Sequence, residues 1–184
     1  MNKNISASII IPNWNGKHLL EKHLPSVIKG SQNAEIIIVD DASTDNSVEY
    51  LQTSFPKIKL VKKDLNEGFA SAVNRGVQES QSDIIVLLNT DIEPEVGFLN
   101  PLLEHFESTD VFAVGCLDKS IEAGKTVLRG RGEASWQKGM FIHRRGDVDK
   151  TDTAWVSGGS GAFRKKYWEK LGGMDELFNP FYWE

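Results

Sequence analysis

Two continuous apolar runs that each end in acid constrain this chain most: Glu35-Ile-Ile-Ile-Val-Asp40-Asp41 and Asp83-Ile-Ile-Val-Leu-Leu-Asn89-Thr90-Asp91. Apolar residues that do not alternate with polar ones have to be covered on both faces, the situation of a strand in a parallel sheet flanked by helices. In open α/β sheets ligands bind beyond the carboxyl ends of the strands, so both acidic clusters stand where a site is built. A third run, Ser8-Ile-Ile-Ile-Pro12-Asn13-Trp14-Asn15, has the same form.

Helical patterns separate these runs. Residues 17–29 place Leu19, Leu20, Leu24, Val27 and Ile28 at mostly helical spacing, with Pro25 expected to kink or shorten the helix. Ser43-Thr44-Asp45-Asn46 offers caps for a helix through Val48 and Leu51, and residues 58–61 read as a short strand. Asn66 can cap a helix whose Ala70, Val73 and Val77 share a face. A helix over 94–107 and a strand over 111–116 extend the alternation, which predicts an α/β fold with a mostly parallel central sheet flanked by helices. Beyond Leu117 the periodicity weakens. Gly124, Gly130, Gly132, Gly139 and Gly146 divide the chain into short strand-like pieces, so a small, partly antiparallel C-terminal part is expected. Residues 165–171 read as a helix stopped by Gly172-Gly173.

At 184 residues the chain fits one domain with a sizeable core. Its lone Cys116 lies in an apolar run and reads as a buried thiol, with no partner for a disulfide or a zinc site. A formal net charge of −5 argues against nucleic acid as a partner. The N-terminus enters a strand without signal-peptide character, which predicts a cytoplasmic location. No apolar stretch approaches the roughly 18–20 residues that cross a bilayer, so membrane association is expected to be peripheral, at the inner face or through a segment outside this sequence. Residues 119–150 hold eight basic and four acidic residues, a net +4. Two readings stand for that stretch: a solvated irregular surface, or a basic wall facing a phosphorylated or lipid-diphosphate acceptor.

Taken in order, Pro12-Asn13-Trp14-Asn15, Val39-Asp40-Asp41-Ala42-Ser43-Thr44-Asp45, Asn66-Glu67-Gly68 through Asn74-Arg75-Gly76, Asn89-Thr90-Asp91, Trp155 through Gly158-Gly159-Ser160-Gly161, and Gly172-Gly173-Met174-Asp175-Glu176 to Phe181-Tyr182-Trp183-Glu184 resemble the glycosyltransferase family 2 catalytic domain, of GT-A fold. The resemblance covers nearly the whole chain. It implies one GT-A-like domain over 1–184, with a nucleotide-sugar half at 1–117 and an incomplete acceptor-side half at 118–184.

The resemblance also implies the site. Asp91 matches the last Asp of the family's Asp-x-Asp element and is the expected ligand of a divalent cation, Mg²⁺ or Mn²⁺, that carries the donor's diphosphate. Asn89 stands where the family has the first Asp, and its amide oxygen can still face ribose or a metal-bound water; Thr90 completes the element. Capping the turn before Pro94 is the competing role for Asp91. Asp41 is expected to accept a hydrogen bond from a nucleobase or ribose, and Asp40 to support the loop, while Asp45 suits a helix cap. Pro12, Asn13, Trp14 and Asn15 would wall the base, although Trp14 equally suits packing. Gly68, Asn74 and Arg75 belong to the segment that closes over the nucleotide, with a solvated arginine as the alternative for Arg75. Gly158 and Gly159 would leave room for donor sugar and acceptor. Trp155 and Trp183 would give those sugars aromatic surface, and ordinary core packing competes for both.

By the same resemblance the reaction is inverting. A carboxylate deprotonates the acceptor hydroxyl, which attacks the anomeric carbon in line with the departing nucleoside diphosphate. The base would be an Asp directly after Glu184, where this sequence stops, so the chain reads as truncated, able to bind a nucleotide and weak in turnover. Glu184 is the only substitute base on offer. Partners would be a nucleotide-diphosphate sugar and a glycan or lipid-linked acceptor. A sugar nucleotidyltransferase would show a Gly-rich, basic loop after the first strand, which Pro12-Asn13-Trp14-Asn15-Gly16 is not. A non-catalytic nucleotide- or glycan-binding module remains the alternative of a different class. A phosphoacceptor receiver domain ranks last, because Asp40-Asp41 follows the second strand and not the first.

Overall fold

The computed structural model describes residues 5–31 and 34–178. The three apolar runs form β1 (Ala7–Asn13), β2 (Glu35–Asp40) and, after the short β3 (Lys59–Lys62), β4 (Ile84–Leu88). Between them lie α1 (Lys17–Gly30), α2 (Ser47–Ser54) and α3 (Phe69–Glu79). These strands pair in parallel, and β10 (Ser160–Arg164) joins antiparallel between β4 and β5 (Ala113–Gly115), giving one six-stranded sheet of order β3-β2-β1-β4-β10-β5.

Successive side chains on a strand point to opposite faces, so each continuous run supplies two cores at once. Ile9, Ile11, Ile38, Val86 and Leu88 pack with Leu20, Leu24 and Val27 of α1 on one face. Ile10, Ile85 and Leu87 pack with Val73 and Val77 of α3 on the other. The second contact is close because α3 carries Gly76 where a Cβ would sit 2.4 Å from Ile10 Cγ2 and 3.1 Å from Val39 Cγ2. Alanine would gain about 1 kcal/mol of helix propensity there, but overpacking a filled core costs about 1–3 kcal/mol. Gly76→Ala is therefore expected to lower the thermal midpoint by a few degrees, and an unchanged or higher midpoint in calorimetry would show that α3 can lift away.

Strand order places the site. From β1 the chain steps outward to β2 and β3, then recrosses β1 to lay down β4 on its other side, which makes the carboxyl ends of β1 and β4 a topological switch point.

Four local expectations change. α1 runs unbroken through Pro25, whose exposed position leaves the freed carbonyl one turn earlier to water. The helix read over 94–107 is shorter: α4 spans Leu99–Glu104, followed by a 3₁₀ turn at His105–Glu107. Gly97, at φ +81, ends the preceding turn, and this start puts Pro101 in the first helical turn, where its missing N–H has no partner to lose. The caps act from one or two residues before the N-cap position: Asp45 accepts from the first N–H of α2, and Asn66 Oδ1 accepts from the Gly68 N–H at 3.2 Å. Asn46 sits in the left-handed region while Asp45 accepts the Ser47 N–H, and Gly68, not Asn66, precedes α3. The strand read at 111–116 shrinks to β5.

After β5 come two separate hairpins, β6 (Asp118–Glu122) with β7 (Lys125–Arg129) and β8 (Gly132–Gln137) with β9 (Met140–Arg145). α5 (Lys165–Leu171) ends as read: Gly172 is left-handed at φ +92, and the N–H groups of Gly172 and Gly173 donate to Glu169 and Trp168. Much of the basic stretch is neutralised locally, Lys119 by Glu95, Arg129 by Glu122, Arg131 by Glu133 and Asp152, and Arg144 by Glu133. Among the described residues no helix is long and apolar enough to cross a membrane.

Candidate functional site

The ends of β1 and β2 are tied to each other. Asp40 is buried, and its carboxylate accepts from Asn13 Nδ2 at 2.8 Å and from the Ser43 N–H at 2.9 Å. Ser43 Oγ in turn accepts from the Asn15 N–H at 2.9 Å, and the Thr44 N–H donates to Asn15 Oδ1 at 2.7 Å. Asp45 accepts from the N–H groups of Lys17 and Ser47. Burial pushes the Asp45 carboxyl up, but the bonds from the Ser47 hydroxyl and these backbone groups outweigh it and hold its pKa below the usual carboxylate range. Asn15 and Ala42 both adopt left-handed backbone, at φ +50 and +60, a strain that persists only where the surroundings enforce it. Asn13 Oδ1 is buried against Gly16 and has no hydrogen-bond donor among the described residues.

Asp41 is only 3% exposed, and its carboxylate is engaged from a direction that the sequence reading missed. Oδ1 lies 2.6 Å from Lys63 Nζ and accepts from the Glu67 N–H at 3.2 Å, and Oδ2 accepts from the Gly68 N–H at 2.7 Å. Asp41 thereby holds the loop that enters α3. Gly68 makes the turn with φ +90 and ψ 179, a conformation left to glycine. Lys63 also donates to Ser71 and pairs with Glu67. The strand-end rule could have found it: Lys63 follows β3 as Asp41 follows β2.

Beyond β4, the Asn89 N–H donates to the Gly159 carbonyl at 2.9 Å, and Asn89 O accepts from the Ile92 N–H at 3.2 Å. Asn89 and Thr90 are half-buried, while Asp91 is exposed in the turn. The absence of a side chain at Gly159 is what admits Asn89, because a Cβ there would stand 2.7 Å from Asn89 Nδ2. Gly158 faces Met174 and Phe69 in the same way. The structure thus brings Asn13, Asn15, Asp41, Asn89, Thr90, Asp91, Gly158 and Gly159 to the carboxyl edge of one sheet.

The Glycosyl transferase family 2 profile matches residues 8–172. The chain belongs to glycosyl transferase family 2. A dolichol-phosphate mannosyltransferase from Pyrococcus furiosus is 29% identical to this family 2 chain over 125 residues, 66% of the chain and 35% of that protein. Among solved structures, a mannosyltransferase from Pyrobaculum calidifontis in complex with GDP-Man and Mn²⁺ superposes with a TM-score of 0.69 at 21% identity, over 95% of this chain and 49% of that one. GalNAc-T7 with UDP, GalNAc and Mn²⁺ superposes at 0.73 and 20% identity, over 96% and 38%. The family 2 chain thus has the GT-A fold and spans a third to a half of the length of these relatives.

Among its described residues no three His, Cys, Asp or Glu side chains gather into a metal cage. A lone exposed carboxylate at Asp91 suits a hard cation that takes one or two protein carboxylates and completes its shell with phosphate oxygens and water. The donor set of the family 2 chain therefore fits Mg²⁺ or Mn²⁺ arriving on a diphosphate. Cys116 offers no chemistry, since burial, with the nearby charge of Asp118, pushes its thiol up to about 12.

Other expected residues hold different posts in the family 2 chain. Asn74 donates to Met174 O at 2.9 Å and to Glu176 Oε1 at 3.0 Å, and accepts from the Met174 N–H, so its amide tethers the segment after α5 to α3. Arg75 is exposed and pairs with Glu79 one turn on, the solvated alternative. Trp14 is 59% exposed, which removes core packing as its role. Trp155 packs over Gly132 at the root of the β8–β9 hairpin, edge-on to His143. Trp183 and Glu184 lie outside the described residues.

Gly159→Val is expected to displace the Asn89 amide and weaken nucleotide binding by about tenfold, at a cost to the fold of about 1–3 kcal/mol. Equal affinities in calorimetry would show that Asn89 can be repositioned without consequence.

Proposed function

We propose that this chain is the donor-binding part of an inverting glycosyltransferase that moves a sugar from a nucleoside-diphosphate donor to a hydroxyl of a glycan or lipid-linked acceptor, in cell-surface polysaccharide synthesis at the cytoplasmic side of the membrane. The observation that carries the reading is the placement of Asp91 at the β1/β4 switch point, beside Asn89 and the small-residue wall of Gly158 and Gly159. Support comes from the family match and from the Mn²⁺ named with both structural neighbours.

In this reading Asn13 and Asn15, with Pro12 and the exposed Trp14, border the nucleoside. Asp41 spends three of its roughly four acceptor sites on the loop into α3 and keeps one for a nucleobase N–H or a ribose hydroxyl. Asp91 would hold the cation that comes with the diphosphate, and Asn89 would orient the ribose. The metal, when bound, stabilises the charge that develops on the departing diphosphate. The donor sugar meets the acceptor hydroxyl beside Asn89, which Gly159 admits to the edge of the sheet, and an acceptor-side carboxylate takes that hydroxyl's proton.

The two neighbours carry different nucleotides, GDP-Man and UDP. Calorimetric titration with UDP, GDP and dTDP, each with and without Mn²⁺, tests the proposal and names the donor class. The expected result is Mn²⁺-dependent binding of one nucleotide. Equal, metal-independent binding of all three, or none by any, would overturn it.

A further inference from the structure

We infer that the tip of the β8–β9 hairpin is a docking element for the surface of an anionic phospholipid bilayer. The hairpin is closed by a two-residue turn, Lys138-Gly139, with both residues at positive φ, the tight geometry that continues strand twist. The cross-strand register puts Trp136 opposite Phe141 on one face, and the neighbouring pairs put Met140 and Ile142 on the other. All four are exposed, at 75%, 49%, 60% and 40%. A strand pair that covers a core is apolar on one face only; this one carries exposed apolar side chains on both.

An isolated two-stranded hairpin is marginal in water, and this one is held at its root instead. Trp155 lies over Gly132, where a Cβ would meet the indole at 2.3 Å, and stands edge-on to His143 at 5.5 Å. The Ala154 N–H donates to Gly132 O, the Gly146 N–H donates to Arg131 O, and the Arg131 guanidinium binds Asp152 and Glu133. The apolar tip thus projects from a fixed base.

Charge selects the occupant. Residues 136–145 contain Lys138, Arg144 and Arg145 and no acid, on a chain whose net charge is −5. Among the described residues Lys138 and Arg145 form no ion pair, and Arg145 shares the face of Trp136 and Phe141. A groove or a glycan would meet one face and would require polar partners along it. A lipid headgroup layer surrounds an inserted tip on all sides, takes up Trp and Phe at the interface, and attracts cations beside them. The inference is independent of the transferase reading, because bilayer binding needs neither donor nor metal.

Co-sedimentation of the full chain with vesicles of POPC alone and of POPC:POPG 70:30 tests it. Partition is expected to be at least tenfold higher on the anionic vesicles. Trp136→Ser/Phe141→Ser should lower it about tenfold or more. Lys138→Gln/Arg145→Gln should lower it roughly 20- to 30-fold, from a contribution of about fivefold per cation near an anionic surface. Ile121→Ser, which removes an exposed apolar side chain from the β6–β7 hairpin, should leave it unchanged. Circular dichroism checks that each variant is folded. Equal partition on both vesicle types, or tip variants that bind like the parent, would overturn the inference. So would self-association in analytical ultracentrifugation that the tip substitutions abolish, since a second copy would then be the occupant.

Discussion

Asp91→Ala is expected to bind its nucleoside diphosphate about 100-fold more weakly than the parent chain in Mn²⁺, a loss of about 2.7 kcal/mol, while residual binding in EDTA stays the same. The size follows from the donor set: no three metal-binding side chains gather anywhere among the described residues, so the cation on the diphosphate depends on the single carboxylate of Asp91. Asp91 is exposed in a turn, so its loss should change stability by no more than about 0.5 kcal/mol. That contrast separates the ligand from the turn-capping alternative, which predicts the reverse: a small loss of stability and unaltered affinity. Titration and thermal unfolding of the same variant decide between them. Full Mn²⁺-dependent affinity in Asp91→Ala would remove Asp91 from the site.

The second large effect is on stability. Asp41→Ala is expected to cost about 3 kcal/mol, which for a chain of this length lowers the thermal midpoint by roughly 6–12 °C. The side chains of Asp41 and Lys63 are 4% and 9% exposed, so removing the carboxylate leaves a buried ammonium short of a partner, takes one acceptor from the Glu67 N–H, and leaves the Gly68 N–H with Asn66 Oδ1 at 3.2 Å. Lys63 keeps Glu67 and Ser71, which holds the loss near the lower end of the range for a broken buried pair. Lys63→Met added to Asp41→Asn should restore part of the stability, because a buried ion pair exchanged for groups of similar volume is often neutral. A midpoint within 2 °C of the parent for Asp41→Ala would mean that water reaches the pair and that Asp41 does not organise the loop.

Where local pattern carried the information, reading it was enough. The three unalternated runs became β1, β2 and β4, Gly172-Gly173 stopped α5, and the acidic strand ends came to one edge. α1 kept the bounds read for it despite Pro25, and α4 started later than read, because proline costs depend on solvent access and on position within the helix, which spacing does not reveal. Asn66 had the chemistry of a cap, and its Oδ1 shares the Gly68 N–H with the Asp41 carboxylate, which follows β2 and takes the Glu67 N–H as well. Asn74 had the chemistry of a ligand contact, yet it bonds the backbone a hundred residues away. In the candidate site, Lys63 was legible only by applying the strand-end rule to β3 as well.

Residue type and local order are enough to cover the strands on both faces and to set carboxylates at their ends. Those properties reside in residue type and in spacings of two to four positions, which act before any distant contact forms. Long-range packing set the rest: β10 inserts antiparallel between β4 and β5, Gly159 makes room for Asn89, Asp41 is clamped by Lys63, and the β8–β9 tip exposes apolar side chains on both faces. Each of these depends on which distant surfaces meet, a choice made by packing volume and by the need to pair buried charge.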